Sequence, residues 1–224
     1  MTTVAQRLNE VKSTLPATGV ELVAVSKFHP AETIREAYDA GHRCFGESRA
    51  QELQQKYDIL PHDIEWHFIG HLQTNKVKYI IPYVAMIQSV DTPRILDEIE
   101  RQAARVERVV DCLLEVHVAQ EDTKYGFSPQ ECIDFLSTLN AGAYPHVRFR
   151  GIMGMASNTD DESRVQAEFA QLKQLFDTLR TGAMAQNTHF DTLSMGMSHD
   201  YRMAVEQGST MVRIGTTIFG EREY

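Results

Sequence analysis

Eight short apolar runs alternate with amphipathic stretches along this 224-residue sequence, and that alternation is what most limits the fold. The runs are Leu22–Ser26, Cys44–Gly46, Trp66–Gly70, Val84–Val90, Cys112–Val118, Val147–Met155, Phe190–Met195 and Met211–Phe219. Helix-like periodicity covers about 30–41, 47–57, 73–81, 92–106, 128–140, 160–181 and 198–208, and an additional amphipathic helix, about 3–15, precedes the first run. Short apolar runs bounded by turn signals read as buried strands, and a helix between successive strands makes the sheet parallel. Eight such units predict an α/β fold, a (β/α)8 TIM-type barrel with an additional N-terminal helix. An open doubly wound sheet is the rival, because periodicity alone does not close a barrel.

Local chemistry punctuates the pattern. Asp91-Thr92-Pro93 and Ser128-Pro129 each supply a capping hydroxyl and a first-turn proline, while Gly41 and Gly208 stand where helices end. No low-complexity linker or charge block divides the chain, so residues 1–224 read as a single domain. Thirty-one acidic against 22 basic residues leave a net charge of −9, which argues against a nucleic-acid partner or an anionic membrane surface. A phosphate-bearing ligand then needs a local site. Three cysteines without CxxC spacing indicate neither a disulfide framework nor a zinc knuckle. No signal-peptide core or membrane-length apolar stretch is present, so a cytoplasmic location is the expectation.

A barrel places its chemistry at the carboxyl ends of its strands. Those ends gather Lys27, Glu47-Ser48, His71, Ser89–Asp91, His117, Met153–Met155, Met195–Ser198 and Arg213–Thr216. Lys27 closes the first apolar run, where an amine of lowered pKa attacks a carbonyl and an ordinary lysine snorkels to water. Gly196, Ser198, Gly215 and Thr216 fall after the seventh and eighth runs, a frequent phosphate corner, although Ser198 also suits an empty helix N-cap. Strand alternation puts Arg213 and Gly215 on the inward face, where a guanidinium needs an acceptor. That acceptor is either an internal carboxylate, Glu47 or Asp91, or the ring nitrogen of a cofactor. An imine-forming lysine, a phosphate cup and an inward arginine together suggest pyridoxal 5′-phosphate (PLP). An always-protonated arginine leaves the pyridine nitrogen unprotonated, which weakens the ring as an electron sink.

Other motifs say less. His67 and His71 are four apart on a strand-like segment, which is no metal pair, and no GxGxxG, P-loop or GxSxG occurs. Lys76 and Lys78 read as a solvated helix face, Lys124 as part of a surface loop that touches anions at most, and the methionines as core filler.

Ala24-Val25-Ser26-Lys27, Phe45-Gly46-Glu47, the run from Trp66 to Lys76 (WHFIGHLQTNK), Ser194-Met195-Gly196-Met197-Ser198 and Arg213-Ile214-Gly215-Thr216 through Phe219-Gly220 stand in a familiar order. Over nearly its whole length the chain resembles the pyridoxal-phosphate homeostasis protein family, single-barrel relatives of the alanine racemase N-terminal domain. The resemblance implies a fold-type III PLP barrel with Lys27 as the Schiff-base lysine and Arg213 opposite the pyridine nitrogen. It places Ser198, Gly215 and Thr216 around the phosphate, with Met197, Asn75 and Ser48 completing the cofactor-binding set. Two departures stand out: Ser48 where the family often has Asn, and His117 where many relatives carry Asn.

Such proteins resemble carriers or buffers of PLP in vitamin B6 homeostasis, with no established catalytic activity. The main alternative is an amino-acid racemase, which needs a base on each face of the substrate α-carbon. In alanine racemases the second base is a tyrosine from a β-rich C-terminal domain. This chain ends at Tyr224, directly after the eighth run, so the carrier reading is the expectation. A third reading is a regulator docking on PLP-dependent apoenzymes or PLP-synthesis enzymes. A monomer is expected.

Overall fold

The boundary signals act where they stand. Thr3 caps helix α1 (Val4–Thr14) in a reciprocal capping box with Gln6. Thr92 caps the helix that opens at Pro93, and Ser128 forms a second capping box with Glu131 ahead of Pro129. Gly41 and Gly208 take left-handed φ values of 87° and 91° just past their helices. The computed structural model describes residues 2–17, 19–119, 125–140 and 142–221.

After α1 the chain runs β1 (Glu21–Val25), α2 (Ala31–Asp39), β2 (Cys44–Glu47), α3 (Ala50–Ile59), β3 (Glu65–Phe68), α4 (Thr74–Ile80), β4 (Met86–Val90) and α5 (Pro93–Arg105). It continues β5 (Val110–His117), α6 (Pro129–Thr138), β6 (Val147–Met155), α7 (Glu162–Thr181), β7 (Thr192–Ser194), α8 (Tyr201–Glu206), β8 (Met211–Ile214) and α9 (Thr216–Phe219). All neighbouring strands are parallel, and β1 pairs with β8 from Glu21–Met211 to Ala24–Ile214. That ladder closes the barrel and removes the open-sheet rival. Among the described residues no helix is long and apolar enough to cross a membrane.

Alternation along each strand divides the interior into two compartments. Leu22, Ala24, Phe45, Trp66, Ile87, Leu114, Ile152 and Val212 face outward and join helix residues such as Leu53, Ile99, Leu172 and Phe176 in the main core. Val23, Cys44, Met86, Leu113, Met153 and Met211 form a second, separate cluster inside the barrel. The sheet wall lies between the two clusters, as a closed barrel requires.

Two differences from the expected elements fall beside the exits of β7 and β8. The eighth apolar run stops being strand at Ile214, and Gly215 turns it into the four-residue α9. The helix expected from 198 begins at Tyr201 with Asp200 at its N-cap, so Ser198 caps nothing and sits in the preceding turn.

The β5–β6 ladder slips by one residue between Cys112 and Leu113, leaving Arg150 as the extra residue of a bulge. Arg150 pairs there with Asp111 at 2.7 Å and Asp191 at 2.9 Å. Gly151 follows with φ of 151°, and a Cβ on it would lie 1.8 Å from the Thr192 carbonyl oxygen. Gly151→Ala is therefore expected to lower stability by more than about 2 kcal/mol in chemical denaturation. Gly19→Ala, left-handed but open to space, is expected to lose only about 1 kcal/mol.

Candidate functional site

Lys27 lies in the turn after β1, half-buried, and the residues on either side of it are gripped from below. The Ser26 hydroxyl donates to Glu47 Oε1 at 2.5 Å. Lys56 on α3 donates through Nζ to the Ser26 carbonyl at 2.8 Å and to Glu47 and Glu52 at 2.7 Å each. Glu52 also accepts the Phe28 amide at 2.6 Å. Phe28 has φ of 68°, a costly conformation for a bulky residue that persists only where surroundings enforce it. The Arg49 guanidinium stacks 4.5 Å above the Phe28 ring and completes the clamp. Glu47 is fully buried, and its Oε2 has no hydrogen-bond partner among the described residues. Burial pushes its carboxyl up to about 7 against the pull of Lys56.

Arg213 enters the barrel from β8 and is buried. One terminal nitrogen donates to Ser194 Oγ at 2.6 Å and the other to the Gly154 carbonyl at 3.0 Å. Neither carboxylate considered from the sequence reaches it: Glu47 holds Lys56, and Asp91 pairs with His71 at 2.8 Å. Burial pushes the guanidinium down to about 10, opposed by Glu115 and Asp200, so it stays cationic at neutral pH. Its Nε makes no hydrogen bond among the described residues.

Behind Arg213 runs a directed chain of polar groups. Arginine only donates, so Ser194 accepts from it and donates to Gln88 Oε1 at 2.7 Å. Gln88 Nε2 donates in turn to His67 Nδ1 at 2.8 Å, which leaves the imidazole hydrogen on Nε2, 3.6 Å from Cys44 Sγ. Burial holds His67 neutral, its pKa pushed down to about 4. No sequence motif marks Gln88, and Ser194 enters only as the first residue of the family-like run Ser194–Ser198. The available signal was their inward register on predicted strands, where polar residues need partners.

The exits of β7 and β8 are tied together. The Gly215 amide donates to Ser198 Oγ at 3.1 Å, and the Arg213 amide to the Gly196 carbonyl at 2.9 Å. Asp200 accepts the Met197 amide at 2.5 Å. Gly196 has φ of 97°, and a Cβ there would lie 2.6 Å from Ala204 Cβ. A Cβ on Gly215 would lie 3.2 Å from the Val25 carbonyl, which brings this corner against the exit of β1. Lys27, Met197, Ser198, Arg213, Gly215 and the exposed Thr216 thus share the neighbouring ends of β7, β8 and β1.

Ser48 and Asn75 lie on the β2–β3 side. Ser48 lines a cleft of about 200 Å³ with Arg49, His71, Gln73 and Lys76, and Asn75 is exposed in the first turn of α4. A cavity of about 240 Å³ at the barrel mouth is lined by Glu115, His117, Tyr125, Met155, Asn158 and Met197. Burial, and then the charge of Asp91, push the Glu115 carboxyl up to about 7, with Arg213 and His71 opposing. His117 Nε2 is buried there without a hydrogen-bond partner among the described residues. Lys124 and Tyr224 fall outside the described residues.

Lys56→Met leaves Glu47 buried without its cation and is expected to destabilise the fold by about 3–5 kcal/mol in urea unfolding. Glu115 is a carboxyl whose folded pKa is raised from 4.5 to about 7. Its folded-state proton therefore favours folding below about pH 4.5, and that contribution fades as pH rises towards 7. Glu115→Gln is expected to remove a stability loss on the order of 3 kcal/mol over that window, measured on the cofactor-free protein.

Comparison with known proteins follows the same lines. The family described as "Alanine racemase, N-terminal domain" matches residues 1–223. A pyridoxal phosphate homeostasis protein of Aquifex aeolicus is 43% identical, over 91% of this chain and 88% of its own length. One from Pasteurella multocida is 38% identical, over 93% of this chain and 89% of its own. The structure of PipY from Synechococcus elongatus solved with PLP bound superposes with a TM-score of 0.84 at 37% identity, covering 97% of this chain and 100% of PipY. Alanine racemase from Corynebacterium glutamicum, 16% identical with a TM-score of 0.77, covers 97% of this chain but 61% of its own and shares the fold. The chain belongs to the alanine racemase N-terminal domain family, among its pyridoxal phosphate homeostasis proteins.

Proposed function

We propose that this chain binds PLP at the carboxyl end of the barrel and acts in PLP homeostasis as a carrier or buffer. Lys27 holds the cofactor as a Schiff base, and Arg213 donates to the ring nitrogen. Ser198, Met197, Gly215 and Thr216 hold the phosphate, while Ser48 and Asn75 lie at the outer edge of the site. The observation that carries this reading is Arg213, a buried cation whose terminal nitrogens each make one hydrogen bond to the barrel and whose Nε is left to donate. Its strand pairs with β1, after which comes Lys27, whose flanking backbone is clamped. PipY, 37% identical over 97% of this chain, has been solved with PLP bound, and the curated relatives carry homeostasis names.

Bound PLP supplies an electrophilic carbonyl and a ring that withdraws electrons from it. The chain's own groups set how far that withdrawal goes. Arg213 remains protonated and so leaves the ring nitrogen as an acceptor, which favours holding the cofactor over driving carbanion chemistry. The homeostasis names of the relatives support the same reading over a racemase. We read residues 1–224 as one domain, monomeric and cytoplasmic, with PLP-dependent apoenzymes or PLP-synthesis enzymes as its partners.

Mixing the protein with PLP is expected to give an imine absorbance band that borohydride fixes onto the peptide containing Lys27. Lys27→Ala is expected to lose the band. Ser198→Ala is expected to keep it with affinity weaker by about tenfold, one charge-assisted hydrogen bond's worth. Equal labelling of Lys27→Ala overturns the assignment of the lysine. Exchange of amino-acid α-protons with deuterated solvent, above the level given by free PLP, overturns the carrier reading in favour of the racemase.

A further inference from the structure

The opposite end of the barrel carries chemistry that the mouth does not use. Glu21, Cys44 and His67 come from β1, β2 and β3, one β/α unit apart in sequence, and each offers a ligand atom within 4.8 Å of the other two. We propose that these three residues form a binding site for a borderline-soft divalent cation of the zinc class, with water as the fourth ligand.

The geometry suits the ion. Zinc–sulfur and zinc–nitrogen bonds of about 2.3 and 2.0–2.1 Å at a tetrahedral angle set the two donors about 3.6 Å apart. Cys44 Sγ and His67 Nε2 are 3.6 Å apart. The donor set also suits it, since a thiolate, an imidazole and a carboxylate select zinc-like ions over magnesium or calcium. With a dication the site sums to zero charge, which a nearly buried thiol and imidazole need. Glu21 is exposed and gives the ion a way in.

The surrounding charges favour a cation. After burial, the negative charges of Glu21 and Glu65 hold the Cys44 thiol up, and those of Glu65 and Asp191 act on Glu21 in the same direction. Arg150 is the opposing charge, and it is already paired with Asp111 and Asp191. Cation binding forms a sulfur–metal bond and releases the Cys44 proton to solvent. His67 stays neutral, but its hydrogen moves from Nε2 to Nδ1. Gln88 must then present Oε1 to it, which re-points the chain that ends on Arg213. An outer partner on the second imidazole nitrogen is the usual companion of a histidine ligand.

The test is a cobalt(II) titration of the purified, cofactor-free chain, followed by the thiolate-to-metal charge-transfer band and then by zinc displacement. One equivalent is expected to saturate the band, and zinc is expected to abolish it. Cys44→Ser is expected to lose the band, while Cys112→Ser, altering a cysteine of the main core, keeps it. Glu21→Gln lies at an exposed strand start and is expected to fold, keep the band and bind at least tenfold more weakly. Absence of a band in the wild type, its retention in Cys44→Ser, or wild-type affinity in Glu21→Gln overturns the proposal.

Discussion

A single buried ammonium organises the carboxyl end of this barrel's first two strands. Lys56 is shared between Glu47 and Glu52 and also holds the Ser26 carbonyl, so one side chain ties β1, β2 and α3 together beneath Lys27. Two carboxylates around one cation leave net negative charge in a dry site, and burial raises Glu47 in response. Such an arrangement adds little to stability compared with an apolar core. It does impose geometry, because Ser26 and Phe28 are both fixed by the same cluster. The left-handed Phe28 is the visible result of that grip.

The second organising constraint is the polar thread through the barrel interior. An apolar filling of methionine, leucine and valine surrounds Arg213, Ser194, Gln88 and His67. Each of these groups has its partner along the thread, which runs from the mouth to the floor. A guanidinium at one end makes Ser194 an acceptor, because it has no acceptor capacity of its own. The two ends of the barrel therefore share one hydrogen-bonded element, with Lys27 and the glycine corner above and Glu21, Cys44 and His67 below.

Most of the fold is legible in the sequence because its signals are local. β-branched runs, capping hydroxyls, first-turn prolines and terminal glycines mark the strands and most helices. The missed α9 has no such mark, since Thr216-Thr217-Ile218-Phe219 continues the strand-like composition of Met211–Ile214 and is too short to show a period. The glycine corner and Arg213 are readable from strand register alone. Lys56 is not, because a lysine within a helix reads as solvated, and only the fold turns it inward. The partners of Arg213 are equally hidden, for Ser194 and the Gly154 carbonyl are brought to it by barrel closure.

The most direct test of the account is a crystal structure of this chain grown with PLP. Continuous density is expected from Lys27 Nζ to the cofactor, with Arg213 Nε against the ring nitrogen and the phosphate between the Gly196–Ser198 and Gly215–Thr216 segments. Cofactor density elsewhere on the barrel, or at the mouth but joined to another residue, would contradict it.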